Sequence, residues 1–246
     1  MKKLLLAILM IFPLFVSACS CDKFDLSTYE SAVKNFNKST GFEYKLKITT
    51  KTQGASSYKR EESYNKYLLT TEGNVYDFAS EIKDFKIPVD SNGIEGNPRP
   101  ERTVNRYYVG VTRTFYTKIK EGVSAPSTSV AHDTTYDDIY SEDSNRHNIN
   151  NLVPTFTKDE ITDFHITKLE GSKGYSIAMF KAPAPSYIEN NGEKIEYTVV
   201  MDKSFCLDTI VFAVVNGTTT TEYEYTFYNF NNDVNIEFPA DLASYS

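Results

Sequence analysis

The chain has 246 residues, 40% hydrophobic and 24% charged, with 33 acidic and 26 basic side chains and a formal charge of −7. A multi-span membrane protein, a disordered tail and a basic nucleic-acid binder are excluded, because the chain lacks the apolar length, the polar bias and the positive field that each requires. What remains is a mildly acidic folded domain with an extra segment at its start.

In that segment Lys2 and Lys3 are positive, Leu4 to Val16 form an apolar run broken only by Pro13, and Ser17 with Ala18 are small. About 13 apolar residues cannot cross a hydrocarbon core that needs ~20, so residues 1–18 read as a secretory signal. Val16-Ser17-Ala18-Cys19 resembles the lipobox of bacterial lipoproteins, in which the cysteine is acylated and becomes the new N-terminus. That reaction needs a thiolate to form a thioether with a diacylglyceryl group, which serine does not provide. The resemblance implies lipidation at Cys19, a tether over residues 19–26, and a domain over 27–246 anchored on the extracytoplasmic face of the cell membrane by its acyl groups. Two chains make such an anchor stable, where one holds only marginally. After processing, 24 basic and 33 acidic side chains give −9, a charge that anionic headgroups repel, so lipid and not a basic patch would hold the protein there. Outside the cytoplasm Cys21 and Cys206 can form one disulfide or remain two thiols, and Cys206 is read as a buried strand residue.

In chain order, Ser27-x-x-Glu30 matches a capping box, and Tyr29, Val33 and Phe36 recur at helical spacing up to a stop at Gly41, which predicts a helix over 27–38. Phe42, Tyr44, Leu46 and Ile48 then alternate with polar residues, the mark of a strand with one buried face. Strands are predicted at 64–71 and 75–78 around a Glu72-Gly73-Asn74 turn, and one long strand at 104–120. A loop is predicted at 83–102, and a polar insertion at 121–148 rich in Ser, Thr and Asp.

Ile149, Leu152, Val153 and Phe156 predict a second short helix limited by Pro154, and Thr157-x-x-Glu160 a second capping box opening a turn through Phe164. Further strands are predicted at 165–169, 175–181 and 195–201, then at 207–215, whose apolar run predicts a strand covered on both faces. Asn216-Gly217 predicts a tight hairpin leading to Tyr223, Tyr225 and Phe227, with the last strand ending at Pro239. The expected fold is α+β and mostly β: one curved antiparallel sheet of about seven to nine strands with two or three short helices on one face.

The lipobox, the first helix leading into Phe42 to Thr50, the hairpin with Asp202-Lys203-x-Phe205, and the closing run Tyr225-x-Phe227-Tyr228-Asn229-Phe230-Asn231-Asn232-Asp233-Val234-x-Ile236-x-Phe238-Pro239 together resemble lipoproteins of the LolA/LppX type. The resemblance implies an open half-barrel whose concave apolar face is covered by helices, and a role in carrying a lipid or other apolar ligand. The insertion has no counterpart in that pattern. With 18 Tyr, 16 Phe and no Trp, the inward face is expected to be aromatic, either as a lining for an acyl chain or as packed core.

Catalytic signatures are absent: there is no GxSxG, HExxH, Walker A loop or GxGxxG, so the chain is read as a non-enzyme without cofactor, metal or nucleic-acid partner. His132, His147 and His165, with Asp137, Asp138, Glu142 and Asp143, match no ligand spacing and read as solvated groups, while Asp90-x-Asn92-Gly93 reads as a turn. Two functional expectations remain. One is a membrane-anchored binding module for a lipid or other apolar ligand. The other is a surface scaffold or sensor that contacts an envelope protein through the polar insertion and has a filled core.

Overall fold

The computed structural model describes residues 26–140, 151–168, 176–188, 192–202, 204, 206–231 and 234–245. The signal segment, Cys19, Cys21 and all but the last residue of the tether lie outside the described residues, as do His147, Glu142 and Asp143. Helix α1 covers Ser27–Asn37 and buries Tyr29, Ala32, Val33 and Phe36, the stripe its spacing predicts. It starts at an N-cap on Leu26, so Ser27 lies inside the first turn and does not cap it.

The chain then forms eleven strands: β1 (Gly41–Thr52), β2 (Ser57–Leu69), β3 (Val75–Pro88), β4 (Arg99–Val109), β5 (Thr114–Glu121), β6 (Ser127–Ala131), β7 (Thr162–Lys168), β8 (Ser176–Ala182), β9 (Ile195–Met201), β10 (Leu207–Asn216) and β11 (Thr219–Tyr228). They make one open antiparallel sheet in the order β6-β5-β4-β3-β2-β1-β11-β10-β9-β8-β7. Two meanders therefore meet at β1 and β11, where Tyr44 pairs with Phe227 and Leu46 with Tyr225. A single cleft lined from β11, β1, β2, β3, β4 and β5, six neighbours in the sheet, shows that the sheet curls toward one face. The expected half-barrel is present with more strands than the seven to nine anticipated.

The extra strands come from segments read as polar loop. Residues 83–102 hold the second half of β3 and the start of β4, leaving a short connection in which Asp90 Oδ1 accepts the Asn92 and Ile94 N–H groups at 2.9 and 2.7 Å, the expected turn. The strand expected over 104–120 is instead β4 and β5, folded back at a 3-10 turn, Gly110–Thr112. A Cβ on Gly110 would lie 2.0 Å from the Tyr76 carbonyl oxygen of β3, so only glycine lets the chain turn there. Gly110→Ala is expected to lower stability by about 2–3 kcal/mol, because overpacking must displace backbone; an unchanged urea midpoint would contradict the clash.

The polar insertion contributes β6 and a second helix, α2 (Tyr136–Tyr140). Of the helix expected near 149–156, residues 152–156 are irregular chain that packs Leu152 and Val153 into the core, Pro154 having removed a donor from the middle, while Asn151 is in a 3-10 turn and residues 149 and 150 lie outside the described residues. Thr157 and Glu160 do form their box, the Thr157 N–H and Oγ1 both reaching Glu160 Oε2 at 2.7 and 2.8 Å, but the chain continues from it into β7. Strand β10 is central yet covered on one face only: Val214 is buried while Ala213 and Val215 are exposed. Cys206 lies half-buried just before β10 and not within a strand, its N–H bound to Asp202 Oδ1.

The last strand ends at Tyr228, well short of Pro239. Beyond it, residues 234–245 run as a strap across the outer face of the first meander. Lys66 Nζ donates to Asn235 O at 2.9 Å, Phe238 packs edge-on to Tyr107, Tyr245 to Tyr116, and Lys118 pairs with Asp241 at 3.5 Å. Beneath its start the buried Glu43 carboxylate accepts from Tyr64 OH and faces Lys66 Nζ at 3.3 Å, which satisfies a charge that burial alone would penalise.

Candidate functional site

The concave face divides into two halves. In the first, β1, β2, β3, β10 and β11 present Phe42, Tyr44, Tyr67, Phe78, Phe212, Tyr225 and Phe227, and α1 and α2 seat their own rings on this layer. Phe36 lies 4.8 Å from Phe42 and 5.5 Å from Phe227, and Tyr136 lies 5.3 Å from Phe78. Most of the expected aromatic lining is thus packed core. Four hydroxyl contacts run along the seam: Tyr67 with Tyr136 at 2.9 Å, Tyr187 with Tyr225 at 2.9 Å, Tyr197 donating to Pro183 O at 2.8 Å and Tyr29 to Pro154 O at 2.5 Å. Burial pushes the hydroxyls of Tyr44, Tyr67, Tyr136 and Tyr225 well above the usual phenol range, with neighbouring tyrosines adding to the shift.

Where the helices meet the end of the sheet the packing opens. A cleft of about 340 Å³ lies between the C-terminal end of α1, the β2–β3 hairpin, α2 and the irregular segment at 152–155. Its walls are Phe36, Phe42, Leu69, Val75 and Val153, and its rim carries Asn37, Glu72, Asn74 and Asp137. Most of the surface the cleft exposes is polar, since Phe36, Phe42 and Val153 are themselves nearly fully buried, and its volume is at the low end of small-ligand sites, which run from ~300 to 1,000 Å³. Carboxylates at the rim are Glu72 and Asp137, and no base or nucleophile is paired there among the described residues.

The structure scatters most of the residues singled out by the sequence. Tyr29, Val33 and Phe36 do converge on the aromatic layer. His132 and His165 are exposed and far apart in the chain, one just after β6 and the other on β7, and Asp137 and Asp138 lie on the exposed side of α2. Asp138 is a capping residue: the Thr135 N–H reaches Asp138 Oδ2 at 2.9 Å while the Asp138 N–H reaches Thr135 Oγ1 at 3.2 Å. That reciprocal box, Thr135-x-x-Asp138, was the available signal for α2, together with the Tyr136 and Tyr140 pair one turn apart. Cys19 lies outside the described residues, and no helix among the described residues is long and apolar enough to cross a membrane.

An open, curled antiparallel sheet with helices lodged in its hollow defines a helix-covered half-barrel. Among solved structures the chain is similar to the lipoprotein LppX of Mycobacterium tuberculosis, at 12% identity over 86% of this chain and 97% of that one, with a TM-score of 0.46. It is also similar to a DUF1329 family protein from Desulfovibrio piger, at 12% identity over 86% of this chain and 94% of that one, with a TM-score of 0.28. No protein-family model matches the chain, and no curated protein matches it.

Proposed function

We propose that this is a membrane-anchored extracytoplasmic lipoprotein that holds a lipid or other apolar ligand in the seam between helices and sheet. The observation that carries the reading is the cleft bordered by Phe36, Phe42, Leu69, Val75 and Val153, a volume of ligand size where the helices meet the end of the sheet. Ten methylenes buried there contribute ~8 kcal/mol, which corresponds to micromolar binding before ordering costs. The anchor rests on the register of Lys2, Lys3, the apolar run and Val16-Ser17-Ala18-Cys19.

The test uses the processed chain carrying Cys19→Ser and dansyl-labelled undecanoic acid. Saturable fluorescence enhancement is expected, and Val75→Glu, which places a charge in the wall, is expected to weaken it more than tenfold with the near-ultraviolet circular dichroism unchanged. Absence of uptake by the parent chain would remove the ligand reading. Mass spectrometry of the membrane-bound protein is expected to find a diacylglyceryl thioether on Cys19, and an unmodified sulfur there would remove the anchor.

The alternative scaffold reading expects a filled core, with which the packed aromatic layer agrees, and a dispensable polar insertion, with which the structure does not agree. The buried Tyr136 and Tyr140 make at least that part of the insertion a component of the core, which favours the binding module.

A further inference from the structure

Residues 152–156 lie in the hollow beside α1 with neither helix nor strand to hold them. Leu152 and Val153 are 1% and 4% exposed and belong to the hydrophobic core, and Phe156 packs edge-on to Phe180 at 5.7 Å and to Tyr197 at 5.1 Å. Buried chain ordinarily pairs its amides and carbonyls. Among the described residues no backbone hydrogen bond reaches or leaves residues 152–156, and Pro154 has no N–H to give. The single hydrogen bond onto the segment comes from Tyr29 OH to Pro154 O. Side-chain burial is therefore almost all that keeps it in place.

The same segment separates three clefts. The seam cleft of about 340 Å³ has Val153 and Thr155 in its wall. A groove of about 420 Å³ along Tyr29 and Val33 of α1 has Thr155 and Phe156, and a smaller one of about 240 Å³ toward Pro183 and Tyr187 has Val153, Pro154, Thr155 and Phe156. Lifting the segment out joins all three into one trench that bares the Phe180 and Tyr197 rings now covered by Phe156.

An apolar segment without ladder, helix or paired amides opens more readily than the sheet beneath it. What it buries, an alkyl chain can bury equally, since hydrophobic burial has no direction. We propose that residues 152–156 are a resident plug standing in the ligand's place, and that a single alkyl chain enters by displacing them. At full extension five residues cover roughly 17 Å, so the trench takes one long chain and not a compact apolar molecule. The proposal rests on the seam reading above and adds what guards the seam: the apparent affinity is the intrinsic one reduced by the fraction of molecules with the plug out.

Thiol labelling tests it on the processed chain carrying Cys19→Ser, Cys21→Ser and Cys206→Ser. Leu152→Cys and Ile210→Cys place a thiol at two positions that are each 1% exposed, one on the segment and one in β10. Without ligand, Leu152→Cys is expected to react with dithionitrobenzoate at least a hundredfold faster than Ile210→Cys, at a rate that dilute urea leaves unchanged. Equal rates would overturn the proposal whether or not a ligand binds. Dansyl-labelled undecanoic acid is then expected to accelerate labelling of Leu152→Cys at least tenfold, because the bound state holds the plug out. A ligand resting in the closed seam would slow that reaction or leave it unchanged, and either result would overturn the proposal. Tyr29→Phe removes the one hydrogen bond and opens no cavity, so it is expected to tighten binding of the same probe about fivefold; unchanged or weaker binding would contradict the plug. Absence of uptake by the parent chain would remove the seam reading, and the displacing alkyl chain with it, a result distinct from slow labelling of Leu152→Cys.

Discussion

Tyr136→Ala is expected to cost about 4 kcal/mol of unfolding free energy, a large share of what holds a domain of this kind together. The residue comes from a stretch whose composition reads as solvated loop, yet it is 3% exposed and its ring meets Tyr140 at 4.5 Å, Phe78 at 5.3 Å, Tyr67 at 5.9 Å and Tyr108 at 6.2 Å. Truncation empties the centre of that cluster and takes from the buried Tyr67 hydroxyl a partner at 2.9 Å. Tyr136→Phe keeps the ring and gives up only the hydroxyl pair, so it should cost about 1 kcal/mol. Urea midpoints of the two variants separate the contributions. A Tyr136→Ala midpoint within experimental error of the parent would show that α2 rests on the sheet without supporting it.

Alkaline pH is expected to unfold the domain in one steep step starting near pH 10. The hydroxyls of Tyr44, Tyr67, Tyr136 and Tyr225 are held far above the ordinary tyrosine value of 10.0, in each case chiefly because the phenolate would lose its hydration. In the unfolded chain the same groups ionise near 10, so the unfolded state releases protons that the folded state retains. The stabilisation is therefore complete below pH 10 and falls as the pH rises above it. Each group contributes ~1.4 kcal/mol per pH unit, so four together lose more than ~5 kcal/mol per unit, against a total stability of ~5–15 kcal/mol. Absorbance of the tyrosinate at 295 nm and circular dichroism should change together. A gradual titration of all tyrosines near pH 10 with the dichroism intact would mean that the aromatic layer admits water.

Both results bear on how much the residues disclose in advance. Regular alternation made β1, β8, β9 and β11 legible, and the Tyr29, Val33 and Phe36 stripe made α1 legible, because in each case one side of the element meets the core and the other meets water. Alternation failed where the sheet is polar on its concave face as well. Glu61, Asp84 and Arg102 point into the hollow and so look, in one dimension, like the outside of a strand, which is why the second half of β3 and the start of β4 read as loop. The turn at Gly110 was hidden for another reason: Val109, Val111 and Phe115 keep apolar residues in step across it, although Val111 is exposed at the tip. In β10 the apolar run reports β propensity and not burial, since Ala213 and Val215 face outward with no cover.

The seam cleft was legible only in its parts. Phe36, Phe42 and Val153 were each assigned inward, but the wall that Leu69 and Val75 complete depends on where the β2–β3 hairpin ends against α2, and α2 itself was visible only through the Thr135 and Asp138 box. The closing segment after Tyr228 keeps a strand-like rhythm of Val234, Ile236 and Phe238, yet it lies across the outer face and adds no ladder.

The junction of β1 and β11 has a further bearing on how the molecule is made. Thr52 and Thr219, 167 residues apart, are hydroxyl partners at 3.0 Å, and Lys47 and Glu224, 177 residues apart, form an ion pair five residues further along the same two strands. Ribosomes deliver ~5–20 residues each second, so the first meander waits on the order of ten seconds or more for the strand that closes it. Throughout that interval β1 carries an unsatisfied row of amides and carbonyls, a template for any extended chain nearby. A nascent polypeptide of this topology is safest when held unfolded until its last quarter has emerged, and a chaperone that binds extended, tyrosine-rich segments is the kind of escort its biogenesis calls for.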